Sequence, residues 1–171
     1  MHTMQRYMPA LAGATVLLAA VAAYGHHSFA MYDREQALVF TGVVTALEPD
    51  TNHLMIQFAP MNEARDGVLR DDEGRPLIWA IEMQSSSAVA RYGITASEFG
   101  AGTVFSGAIH PARSGARTGT QVMDENSARV LFKCPGRTPP EPGMHCDTVA
   151  GATLHGTAQA LPEATAHIGD R

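Results

Sequence analysis

Short runs of alternating apolar and polar residues, interrupted once by a helical period, constrain this chain more than any other feature. Between His53 and Ala59, Leu54, Ile56 and Phe58 alternate with Met55 and Gln57, the period of a half-buried strand. Leu38 to Leu47 is rich in Val, Thr and Phe and carries Gly42 in its middle, as a strand does where it bulges or bends sharply. Leu77 to Met83 puts Trp79, Ile81 and Met83 on one face, after a polar stretch with turn signals at Asp66-Gly67 and Glu73-Gly74. The period then changes. Ser85-Ser86-Ser87 is suited to cap a short helix through Tyr92, stopped by Gly93, and Thr95 and Glu98 have the spacing of a capping box. A fourth strand is expected over Thr103 to Ile109, followed by Thr120 to Glu125 and Ala128 to Phe132, separated by Asn126-Ser127. This order predicts a mainly β fold, a small five- to six-stranded OB-like Greek-key barrel with one short helix between the third and fourth strands. A small open sandwich is the competing architecture.

At 171 residues and 45% hydrophobic the chain can bury one core, and length leaves little room for a second domain. Its acidic balance, 12 Lys and Arg against 17 Asp and Glu, lacks the basic footprint of a nucleic-acid binder. Residues 1–25 have the layout of a cleaved export signal: Arg6, then an apolar run from Ala10 to Ala23, then small residues. A retained anchor is the alternative, although a spanning helix needs about 20 apolar residues. The expected compartment is the periplasm or the exterior, with no membrane span after cleavage. Cleavage after Gly25 makes His26 the new terminus, and cleavage after Ala23 makes it Tyr24. Loss of residues 1–25 removes one Arg and no acid, taking the formal charge from −5 to −6.

Residues 26–133 then form the barrel domain, and 134–171 a Pro- and Gly-rich loop and flexible tail in which no core-forming pattern is visible. Cys134 and Cys146 bracket that loop, and a disulfide between them agrees with an oxidising compartment. The rival reading is a pair of metal thiolates with His145 beside them.

The histidines suggest a ligand. His26 and His27 stand at or near the mature amino terminus, where amine and imidazole nitrogens are donors that Cu(II) prefers. If His26 is first, its amine and ring chelate one ion. If Tyr24 is first, His26 is third, and amine, backbone amides and ring enclose the metal. His53 and His110 fall at strand ends, where side chains reach a barrel mouth. Met31, Met55 and Met61 are soft donors suited to Cu(I), though Met55 and Met61 also suit packing. His145, His155 and His167 carry no assigned role. Arg113 and Arg117, in a Gly-containing loop beside His110, are candidate anion contacts.

The run His26-His27-Ser28-Phe29-Ala30-Met31-Tyr32-Asp33 resembles the start of a family of short exported bacterial proteins of unknown function. Members open with His-His-Ser directly after the signal peptide. They also carry Asn-Pro-His, Trp-Ala-Leu-Glu-like and Gly-His-Pro elements. The matches here are Asn52-His53, Trp79-Ala80-Ile81-Glu82, and His110-Pro111 with Arg113, Gly115 and Gly119. The resemblance covers roughly residues 26–132. It lacks the Pro expected before His53, has a longer loop at 60–76, and excludes the Cys-containing tail. It implies export and a terminus at His26, and brings no activity.

No metalloprotease, phosphate-loop, dinucleotide, acyl-transfer or Cys-x-x-Cys motif is present, so an enzyme is not expected. The leading expectation is copper binding or delivery through an amino-terminal clamp at His26, completed by His53 or His110, with His27 in reserve. The alternative is a metal-free envelope binding module that uses the barrel face for a peptide, glycan or small ligand. Its contacts would be Trp79, Tyr92 and the Arg113 to Arg117 loop.

Overall fold

The computed structural model describes residues 29–49, 52–122, 130–157, 160–164 and 166–168. The chain divides into two units, Met1–Ala30 and Met31–Arg171. Of the first, only Phe29 and Ala30 are described. The expected signal segment, the expected clamp at His26 and His27, and the turn at Asn126-Ser127 lie outside the described residues.

The described residues of the second unit form eight strands. These are β1 (Leu38–Pro49), β2 (Leu54–Pro60), β3 (Trp79–Glu82), β4 (Val104–Pro111), β5 (Thr118–Gln121), β6 (Val130–Lys133), β7 (Thr153–Gly156) and β8 (Ala166–His167). One short helix, α1 (Ser86–Ala90), lies between β3 and β4. Its amino end is capped by Ser85, whose hydroxyl accepts from the Ala88 N–H at 3.4 Å. Gly93, at φ 76°, ends the turn that follows.

Sheet order β7-β6-β4-β5-β3-β2-β1-β8 closes on itself because β1 also pairs with β4. The result is a five-stranded barrel of β1, β2, β3, β5 and β4, with β6–β7 and β8 added outside it. The mainly β barrel with its single helix is as expected. Within the ring β3 pairs with β5 in parallel, which alternation alone does not disclose. The fifth strand starts at Thr118, two residues before its expected start.

Gly42 stands where β1 changes partners, opposite Phe105 on β4 and Pro60 on β2. A Cβ there would come within 2.6 Å of the Phe58 ring and 3.0 Å of the Ala59 carbonyl. The register shift itself falls two residues later, between Val44 and Ala46. Gly42 therefore admits the close approach that lets Phe40, Phe58 and Phe105 meet, with ring centroids 4.3 to 5.5 Å apart.

Leu38, Ile56, Phe58, Ile81, Phe105 and Ile109 fill the barrel, and Val89, Ile94 and Phe99 join them from α1 and the segment after it. A second, smaller core lies apart from it, where Met61, Val104 and Phe132 pack against Cys134 and Cys146. The core thus extends past residue 133, correcting the expectation of a tail without core residues. β7 pairs with β6, β8 pairs with β1, and Ile168 is 1% exposed within the main core.

Candidate functional site

His53 precedes β2, and its Nδ1 lies 3.1 Å from the Met83 carbonyl and 3.2 Å from Oε1 of Glu82. Both partners are acceptors, so Nδ1 carries a proton. The other carboxylate oxygen of Glu82 accepts a 2.5 Å hydrogen bond from the Tyr32 hydroxyl. Burial first, and then this carboxylate, raise the Tyr32 pKa above that of an ordinary phenol, so it stays a donor. Tyr32 reaches Glu82 because its backbone is fixed at the end of β4: it bridges to Ala112, and the Arg113 N–H donates to the Met31 carbonyl.

His110, near the end of β4, repeats the pattern. Its Nδ1 donates to the Gln36 carbonyl at 2.7 Å. His110 pairs with Thr120 on β5, and Thr120 pairs with Glu82 on β3. Two strand spacings therefore separate Glu82 from His110, roughly 10 Å. Among the described residues no group of three or more His, Cys, Asp and Glu side chains is assembled for a metal ion.

The remaining expected contacts divide. Trp79 is 6% exposed and belongs to the barrel core, so it offers no surface contact. Arg113 and Arg117 are exposed, with Arg113 3.6 Å from Asp33. Tyr92 is half-buried under the Arg91 guanidinium, 5.3 Å from the ring centroid. Met55 is half-buried on β2, while Met61 is a packing residue of the second core.

Cys134 and Cys146 form a disulfide, and both are buried. That removes the thiolate reading and gives the bond a positional consequence. The Cys146 N–H donates to Ser106 Oγ at 2.8 Å, Ser106 Oγ lies 2.7 Å from Thr41 Oγ1, and Thr41 Oγ1 lies 2.8 Å from Nδ1 of His145. Thr41 and Ser106 are direct partners across β1 and β4. The disulfide loop thus seats His145 beside this pair, with its ring stacked on His167 at 5.6 Å. His155 is a core residue: 4% exposed, edge-on to Phe99 at 4.9 Å, donating from Nδ1 to the Tyr92 carbonyl at 3.0 Å.

Glu82, Tyr32, Arg65 and the placement of His145 were missed by sequence reasoning. The one available signal was adjacency: Glu82 closes the strand that begins at Trp79, and His145 adjoins a cysteine.

A family model described as a family of unknown function, DUF6152, matches residues 14–121. No curated protein and no solved structure matches the chain.

Proposed function

The chain belongs to this family of unknown function, and from that premise we propose that it is an exported, periplasmic protein that binds or delivers copper through an amino-terminal His-His-Ser clamp. The apolar run from Ala10 to Ala23 supports export. The observation that carries the copper reading is the orientation of two rings. In both His53 and His110 the Nδ1 proton is taken by a carbonyl or carboxylate, the outer-shell arrangement common to metal-ligating His. A chelate needs more nitrogen than a single imidazole supplies. The amine and ring of His26 provide it, with His27 in reserve. His53 is the stronger of the two barrel candidates, because the Glu82 carboxylate on its Nδ1 side raises the basicity of the ring.

The test is a Cu(II) titration of the exported protein read by electron spin resonance, with the terminus established by intact mass. Nitrogen coupling is expected, reduced on His53→Ala and lost on His26→Ala or when an extra residue precedes His26. A spectrum without nitrogen coupling, or one indifferent to those changes at residue 26, overturns the reading.

A further inference from the structure

Away from His53 and His110, a cavity of about 240 Å³ opens between the start of β1, the loop after β2, β8 and the disulfide loop. Phe40, Met61, Leu69 and Ile168 give its lining apolar surface, and Arg65, His145 and His167 add polar groups.

Arg65 is held with its backbone in the left-handed region, at φ 58°. Its Nε donates to the Met144 carbonyl at 2.9 Å and its Nη1 to the Asn62 carbonyl at 2.8 Å. No carboxylate of the described residues lies within ion-pair distance of it, and Glu63, which also lines the cavity, acts on it only through space. A half-buried guanidinium engaged by two carbonyls retains donors that match a carboxylate in pairs.

A second polar atom is left over at His145. Its Nδ1 is taken by the Thr41 hydroxyl, and its Nε2 is buried without a hydrogen-bond partner among the described residues. An unpartnered buried ring nitrogen in the lining calls for a polar group of a ligand, and the guanidinium beside it disfavours a cation.

We propose that this cavity is a binding site for a small organic carboxylate with an apolar body, its charge on Arg65 and its body against Phe40, Met61 and Leu69. The volume lies below that of pockets for drug-sized ligands, which sets the ligand's size. The proposal does not depend on copper.

Calorimetric titration of benzoate, neutral benzamide and inorganic phosphate into the protein with its disulfide intact tests it. Benzoate is expected to bind at least about tenfold more tightly than benzamide or phosphate. Arg65→Gln is expected to lose that preference and Arg65→Lys to keep part of it, with near-ultraviolet dichroism unchanged. The His145 ring resonances are expected to shift with benzoate. Equal binding of benzoate and benzamide, a preference for phosphate, or full affinity in folded Arg65→Gln overturns the proposal. If Arg65→Gln does not fold, the benzoate–benzamide contrast and the His145 shift in the unaltered protein decide it.

Discussion

His145 is buried against Arg65 and His167, and burial first, then the charge of Arg65 and the neighbouring His167 ring, lower its pKa to about 4. An unfolded chain titrates the same ring near 6.5. As pH falls from 6.5 to about 4 the unfolded state takes up a proton that the folded state refuses, so stability is complete above that window and is lost through it. Allowing for the ring's partial exposure, the loss amounts to about 2 kcal/mol. Burial lowers the pKa of His155 as well, which adds loss in the same direction. Urea denaturation at pH 7.5 and pH 4.5 is expected to show the drop, and His145→Gln to shrink it by about 2 kcal/mol. An equal drop in both proteins would place its source elsewhere.

At the scale of elements, what could be read in advance is what is local. β1 to β4 and α1 follow from alternation and from Ser85, because each buries one face of a continuous segment. β7 and β8 were not legible. Thr153–Gly156 and Ala166–His167 are too short to alternate, and their extended form comes from the edges of β6 and β1 that they cover. The candidate sites divide in the same way. His53 and His110 could be picked out because strand ends are visible in sequence, whereas Arg65 and His145 are 80 positions apart and meet only through the folded disulfide loop. That loop also has an energetic role. Closing a separation of 12 residues contributes about 3 kcal/mol by restricting the unfolded chain. Replacing Cys134 and Cys146 together by Ala is expected to lower the unfolding free energy by about that amount. It should also release His145, seen as a ring pKa returning toward 6.5 in a proton titration. A ring that still titrates near 4 in the reduced protein would show that the barrel alone seats it.

For the whole molecule, the barrel is closed by β1 and β4 and its core is completed from outside the barrel. Ile168 follows β8 directly and is buried among Leu38 and the barrel side chains. Ile168→Ala is expected to cost about 3 kcal/mol, the range for a buried aliphatic truncation that leaves a cavity. Chemical denaturation measures it, and a change below about 0.5 kcal/mol would mean that the core closes without this residue. The pairing of Leu38 with Ala166 joins positions 128 residues apart in sequence. Such a contact carries a large loop-closure entropy and forms late, which places the fold among slow, topologically non-local ones. While it is being synthesised, the chain cannot complete its sheet until residues 166–168 have emerged. The five barrel strands are all made by Gln121, so the ring closes first, and β8 with Ile168 is added to it afterwards.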